Sequence, residues 1–233
     1  MKTAFISGAS SGIGLECAKY FLNKNYKVVA VARDFSKCDI HHEHFLKIEC
    51  DLSDVKNFDE ILKDVSKSYH VDVLINNAGF GIFKPLEEIN SIDITNMINT
   101  NLTSHILATK YFLPNLKKHH GYIFNINSIE AVRFSKFSAL YSATKAGLRA
   151  FGLSLFEEVR KSGVRVVNIN PDITKTEFFK NLNFTHEDDI GSFIDVNSII
   201  KIIDLSLNLD DESIMTDVTI RPKKVAIKKK GAS

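Results

Sequence analysis

Tyr141 and Lys145 stand four residues apart in the stretch Tyr141-Ser142-Ala143-Thr144-Lys145, with Ser128 upstream. On a helix, positions i and i+4 share a face one turn apart, so an ammonium would lie beside a phenol. A free tyrosine ionises with a pKa of about 10. A nearby positive charge favours the phenolate and lowers that value. Such a pair is a proton donor and acceptor usable near neutral pH. Ser128 would add a second hydroxyl for the same substrate oxygen. The spacing also arises on ordinary surface helices, so its meaning depends on the elements that position it.

The chain has 233 residues, 44% apolar and 25% charged, the composition of ordinary globular material. No apolar run approaches the roughly 20 residues that span a bilayer, so no membrane partner is expected. The apolar part of Met1–Gly8 is too short for a signal peptide and reads as a first strand. Cys17, Cys38 and Cys50 form no Cys-x-x-Cys pair, which points to a reducing cytoplasm. The net charge of +2 conceals an asymmetry, because residues 221–233 hold six basic side chains and no acid. The rest of the chain is mildly acidic. The division expected is a catalytic domain over 1–222 and a basic, disordered tail over 223–233. The tail lacks interleaved aromatics, so no nucleic acid is expected as a partner. His41, His42 and His44 crowd one loop and His119-His120 another, with no His-Glu-x-x-His pattern or cysteine partner; no metal site is expected.

Short apolar runs alternate with longer amphipathic stretches along the whole chain. The runs are Thr3–Ile6, Lys27–Ala32, His44–Glu49, Val71–Asn76, Gly121–Asn127, Val164–Asn170 and Asp217–Ile220. Several are nearly continuous and rich in Val and Ile, as strands covered on both faces are. Helical patterns fall near 12–24, 54–68, 92–118, 139–161 and 196–208. This order predicts a single-domain α/β fold: a doubly wound parallel sheet of about seven strands flanked by helices, a Rossmann fold. Ligands of such sheets bind at the carboxyl ends of the strands.

The residues after each strand are therefore the informative ones. The first strand runs into Ser7-Gly8-Ala9-Ser10-Ser11-Gly12-Ile13-Gly14 and then a helix. Glycines allow a tight turn and a close approach of backbone to a pyrophosphate, and the helix supplies free N–H groups. After the second strand, Ala32 stands where an acid would bind the ribose hydroxyl of NAD, and Arg33 offers a fork for the 2′-phosphate of NADP. NADP(H) is thus expected over NAD(H), with NAD(H) possible. After the third strand, Asp51 is placed to accept from an adenine amino group; alternatively, Asp51 or Ser53 caps the next helix. After the fourth comes Asn76-Asn77-Ala78-Gly79, small residues beside an asparagine able to pin backbone.

These motifs resemble the short-chain dehydrogenase/reductase family over essentially the whole chain. The family's Thr-Gly-x-x-x-Gly-Ile-Gly turn is met by Ser7–Gly14, with Ser7 for threonine, and its Asn-Asn-Ala-Gly by Asn76–Gly79. Its catalytic asparagine aligns with Asn101, its serine with Ser128, and its Tyr-x-x-x-Lys with Tyr141 and Lys145. The resemblance implies hydride transfer between a nicotinamide and a carbonyl/alcohol pair. Tyr141 would protonate the oxygen and Ser128 orient it. Lys145 would lower the tyrosine pKa and bond the nicotinamide ribose, and Asn101 would hold a water leading from Lys145. It also implies a cofactor site built from Gly8, Ser10, Ser11, Gly12, Ile13, Gly14, Arg33, Asp51, Leu52, Asn77, Ala78, Gly79, Tyr141, Lys145, Pro171, Thr174 and Thr176. A homodimer or homotetramer is implied as well.

One departure lies in Pro171-Asp172-Ile173-Thr174-Lys175-Thr176, where Asp172 replaces the family's glycine. Aspartate is a tolerable substitute where φ is positive. The substrate wall is expected from loops 80–84, 129–137 and 178–184, with Phe80, Glu130, Phe134, Asp172 and Phe178 as candidates. Their phenylalanines favour a small or medium apolar carbonyl. Arg133 keeps a small hydroxy-acid dehydrogenase as an alternative, and a catalytically weak NADP-binding regulator is another. The short span between Thr176 and Val196 argues against a large lid.

Overall fold

The computed structural model describes residues 1–179, 182, 184–187, 189, 191–210, 212–224 and 227–229. Strands β1 (Thr3–Ser7), β2 (Lys27–Ala32), β3 (Phe45–Glu49), β4 (Val73–Asn76), β5 (Tyr122–Ile126) and β6 (Arg165–Pro171) follow the apolar runs. After them come β7 (Phe184–His186), β8 (Asp217–Ile220) and β9 (Ile227–Lys229). The helices are α1 (Gly12–Asn23), α2 (Val55–Ser68), α3 (Ser91–Ile98), α4 (Ser104–His119), α5 (Ala139–Val159) and α6 (Val196–Leu207).

Seven strands form one parallel sheet in the order β3-β2-β1-β4-β5-β6-β8. Alternate residues of each strand feed two separate cores, because successive side chains point to opposite faces. Ala4, Ile6, Val28, Ala30, Ile75 and Phe124 pack toward Phe21 of α1 and Ile199 and Ile203 of α6. Phe5, Val29, Val31, Leu74 and Ile123 pack toward Phe58 and Leu62 of α2, Phe112 and Leu116 of α4, and Leu155 of α5. Burying each Val, Leu, Ile or Phe among them contributes about 1.5–3 kcal/mol. The strand order reverses direction between β1 and β4, and it is there that doubly wound sheets open a crevice.

Polar residues tie the middle strands together. Asn76, Asn125 and Asn168 lie in register on β4, β5 and β6. Asn76 Nδ2 donates to Asn125 Oδ1 at 2.9 Å, and Asn125 Nδ2 donates to Asn168 Oδ1 at 3.2 Å. Helix α5 can cross this row because of Gly152, whose missing Cβ would lie 2.3 Å from Asn168 Oδ1. That close approach brings Tyr141 and Lys145, on the same helix, to the end of β5.

Two secondary-structure elements depart from the sequence expectation. The helix foreseen over 92–118 is broken by a π-turn at Asn99–Thr103 between α3 and α4. Second, the segment after Pro222, expected as a disordered tail, contributes β9, which pairs antiparallel with β7. Lys224 N also donates to Gly191 O at 2.8 Å, and Lys224 pairs with Asp189. Residues 225, 226 and 230–233 of that tail lie outside the described residues, as do 180, 181 and 183 of the expected 178–184 wall.

Candidate active site

The first turn is shaped by its glycines. Gly8 and Gly12 have φ of +68° and +53°, the left-handed region that favours glycine. A Cβ on Gly14 would lie 2.2 Å from Gly8 O, so α1 can start only if that position is bare. Ser7, the family's threonine position, fastens this turn to the loop after β4. Its Oγ donates to Ile75 O at 3.3 Å and accepts from Asn77 N at 3.0 Å and Ala78 N at 3.1 Å. Asn77 Nδ2 returns bonds to Ser7 O at 2.9 Å and Gly8 O at 3.2 Å. Ser11 gives α1 no side-chain cap, which leaves the first-turn N–H groups for an anion.

A cleft of about 1320 Å³ runs from this turn across the carboxyl ends of the strands. Gly8, Ser10, Ser11, Gly12 and Ile13 line one part, and Asp51, Leu52, Asn77, Ala78 and Gly79 the next. Gly14 stays behind the turn. Arg33 lines the end after β2, and so does Lys37, a cation that the sequence reading passed over. The available signal was the Asp34-Phe35-Ser36 turn pattern before it: Asp34 Oδ1 accepts from Ser36 N at 2.6 Å and Oδ2 from Ser36 Oγ at 2.8 Å. Asp34 is engaged there. Asp51 Oδ1 likewise accepts from Ser53 N at 2.9 Å and Ser53 Oγ at 2.8 Å, while Asp54 caps α2 by accepting from Asn57 N at 3.1 Å. Neither Asp51 nor Ser53 is the cap. At the opposite end, Pro171, Thr174 and Thr176 line the cleft. The length of the groove, its bare glycines and the cations at one end fit a phosphate-bearing dinucleotide.

Ser128, Tyr141 and Lys145 meet where β5 ends. All three are buried and line the cleft. The Ser128 hydroxyl stands close enough to the Tyr141 phenol to lower its pKa. Lys145 Nζ donates to Ile126 O at 2.9 Å and lies 6.0 Å from the centre of the Tyr141 ring. A Cβ on Gly79 would come within 3.3 Å of that ammonium. Asn101 sits in the π-turn, fully buried behind the cleft wall. Its Oδ1 accepts from Phe80 N at 3.0 Å, and its Nδ2 donates to Phe80 O at 2.9 Å and Thr144 Oγ1 at 3.1 Å. π-turns often mark functional sites, and this one turns an asparagine into a clip. His105, one turn on, was not singled out from the sequence; its Nε2 lies 2.8 Å from Ala78 O. Burial, with the charge of Lys145, pushes this histidine down to about 3.

The electrostatics differ from the expected activation. Burial pushes the Tyr141 phenol up to about 12, the Ser128 hydroxyl lowers it in part, and Glu130 raises it. Lys145 is pushed down to about 8 by its own burial. The protein groups alone therefore do not make a phenolate. Burial is the largest influence on the phenol, and it favours the protonated form that serves as donor.

The substrate end is aromatic. The Phe83 ring lies 5.2 Å from the Tyr141 ring and 5.1 Å from Phe184; Phe178 lies 5.9 Å from Tyr141. Phe80 also lines the cleft. Phe134 does not: it is 72% exposed, on the outer side of its loop. Glu130 lines the cleft, but its carboxylate accepts from Ser135 and Ser142. Asp172 accepts from Arg221 Nε at 3.0 Å and from Ile173 N at 2.9 Å. Among the described residues the non-glycine positive φ angles are at Asn25, His120 and Phe137, so Asp172 needs no left-handed backbone in place of glycine.

A family model described as short chain dehydrogenase matches residues 2–187. A probable short-chain type dehydrogenase/reductase, VdlC, of Helicobacter pylori is 36% identical over 180 residues, covering 76% of this chain and 66% of that protein. A probable NADP-dependent dehydrogenase of Haemophilus influenzae is 30% identical over 194 residues, covering 80% and 77%. Among solved structures, the alcohol dehydrogenase of the archaeon Thermococcus sibiricus, complexed with 5-hydroxy-NADP, superposes with a TM-score of 0.84 at 26% identity, covering 96% of this chain and 98% of that one. The chain belongs to the short-chain dehydrogenase family and is an oxidoreductase that acts on an alcohol/carbonyl pair with a nicotinamide cofactor.

Proposed function

We propose that this chain is an NADP(H)-dependent reductase of small or medium apolar carbonyls, with Tyr141 as the proton donor. The observation that carries this reading is the meeting of Ser128, Tyr141 and Lys145 in one buried group under the rings of Phe83 and Phe178. NADPH, when bound, supplies the hydride. The first turn of α1 and the glycines before it hold the pyrophosphate, and Arg33 with Lys37 holds the 2′-phosphate. Ser128 donates to the substrate carbonyl and orients it. The Tyr141 hydroxyl gives its proton to the same oxygen as negative charge develops there. Lys145 stabilises the tyrosinate left behind and bonds the nicotinamide ribose. Asn101 fixes the Phe80 backbone at the substrate mouth, and a water beside it can lead from Lys145 to solvent. The aromatic wall excludes water and favours an apolar substituent. Arg133, at the cleft, keeps a hydroxy acid as the second substrate class.

The reading extends to a homodimer or homotetramer in a reducing cytoplasm. The partly exposed Ile98 at the end of α3 and Ile106 on α4, with the free cysteines, support these parts. The test is a panel of alkyl and aryl aldehydes, ketones and 2-oxo acids, followed by cofactor absorbance with NADPH and NADH in parallel. NADPH-dependent turnover of an apolar carbonyl is expected. Cofactor binding without turnover of any member would support a regulator instead, and preference for a 2-oxo acid would support the hydroxy-acid enzyme.

A further inference from the structure

Glu130 is the one acidic side chain in the β5–α5 connection, and it is 6% exposed. Its partners are serines. Oε1 accepts from Ser135 Oγ at 2.6 Å; Oε2 accepts from Ser135 N at 2.9 Å and Ser142 Oγ at 2.9 Å. Ser138 Oγ lies 2.9 Å from Ser142 Oγ and completes a hydroxyl ring around the carboxylate. Burial would push this carboxyl up, but these hydrogen bonds outweigh it and hold it below the usual range. Glu130 is therefore charged at neutral pH, inside the wall of the site.

The same residue reaches the proton donors from two sides. Its backbone N–H donates to Ser128 Oγ at 3.2 Å. That bond occupies a lone pair of the hydroxyl and leaves its hydrogen free for the phenol or the substrate. Its carboxylate holds Ser142, the residue next to Tyr141 in the first turn of α5. Between these anchors the loop carries Phe137 at φ 65°, a strained position for a phenylalanine that persists only where surrounding bonds dictate it.

We propose that Glu130 is a positioning residue for the reduction: its backbone N–H and its carboxylate bind Ser128 and the turn bearing Tyr141 into one frame. This inference rests on the assignment of Ser128 and Tyr141 above. Charged groups that line the cleft at this end are Lys145 on the same helix, Glu130, Arg133 and Lys136 from the β5–α5 connection, Lys84 after β4, Glu177 beside Phe178, and Asp172 paired with Arg221. His105 from α4 stands behind Lys145, held neutral. Glu130 is the charge among these that raises the phenol, and Asp172 is already matched by Arg221.

The test compares the full-length wild type with Glu130→Gln, Glu130→Asp and Ser135→Ala. The first readout needs no substrate: phenolate absorbance at 295 nm against pH, taken as the difference from the same protein carrying Tyr141→Phe. Glu130→Gln should move the Tyr141 midpoint to lower pH, and Glu130→Asp, which keeps the charge, should restore it. The second readout is NADPH-dependent reduction of whichever panel aldehyde or ketone the wild type turns over. Displacement of reacting groups should lower kcat about ten- to a hundredfold in Glu130→Gln. NADPH affinity should stay as in the wild type. Wild-type kcat in Glu130→Gln overturns the proposal, whatever the midpoint does. If Glu130→Gln does not fold, Ser135→Ala decides: lower kcat supports the frame and wild-type kcat refutes it. A wild type that reduces no carbonyl removes the reductase reading, while the phenol titration still judges the charge.

Discussion

Asn101 holds Phe80 by both of its backbone groups, accepting from its N–H at 3.0 Å and donating to its carbonyl at 2.9 Å. A side-chain amide matches a peptide unit in this way only if the helix delivers it at the right height, and the π-turn at Asn99–Thr103 does so. Asn101→Ala would leave two backbone groups and Thr144 Oγ1 without this partner. A loss of about 1–3 kcal/mol is expected in urea unfolding. Turnover should fall more than NADPH binding, because Phe80 belongs to the substrate end. A variant as stable and as active as the wild type would remove the clip from the account.

Lys145 sits in the interior at a cost. Its pKa falls from 10.5 in the unfolded chain to about 8 when folded, a shift worth on the order of 3 kcal/mol. Below pH 8 the lysine is charged in both states and the cost is present in full. Between pH 8 and 10.5 the folded protein sheds the proton first, and the cost fades. Lys145→Met should therefore raise Tm near neutral pH while abolishing turnover, and the gap in Tm should close as pH rises through that window. Reduction by the wild type should decline above about pH 8, as the ammonium that stabilises tyrosinate is lost. A variant less stable than the wild type at pH 7 would contradict this.

Arg33 and Lys37 converge on one end of the cleft, and Asp34 faces Ser36. Hydrogen bonds to charged groups contribute about 1.5–3 kcal/mol each. Arg33→Ala should weaken NADPH about ten- to a hundredfold and NADH far less, with Lys37→Ala a smaller version of the same effect. Fluorescence titration of both cofactors measures this. Equal losses for NADPH and NADH would rule out a 2′-phosphate role.

The strand β9 supports β7, whose Phe184 packs on Phe83. Ending the chain after Pro222 removes β9 and the Lys224 bonds to Gly191 and Asp189. KM for an apolar carbonyl should rise several-fold while NADPH affinity holds. If the basic segment instead served nucleic acid, truncation would abolish a strongly salt-dependent DNA or RNA affinity and leave KM untouched.

Much of the fold was legible because strand and helix periods are written in side-chain alternation, as with Val28 to Ala32 feeding opposite cores. The glycine turn and the meeting of Ser128, Tyr141 and Lys145 were legible from motif order. Other features depend on tertiary geometry that no local pattern carries. One extra residue in the π-turn leaves the apolar periodicity of 91–119 intact, so Asn101 was found by motif while the turn that carries it read as continuous helix. The role of Gly152 depends on Asn125 and Asn168 from two other elements. Glu130 read as a substrate ligand because its three serines are scattered over 135–142. β9 is short and mostly lysine, and its strand character comes from β7 rather than from itself. Spacing predicts an ammonium near Tyr141 but not the depth of burial that raises its phenol.

Tyr141→Phe tests the central claim most directly. The variant keeps the ring that Phe83 and Phe178 pack against and removes only the hydroxyl. NADPH binding should stay within about twofold of the wild type, while NADPH-dependent reduction of the best panel carbonyl falls by about 10²–10⁴-fold. Wild-type turnover in Tyr141→Phe would show that the proton comes from elsewhere and would contradict the account.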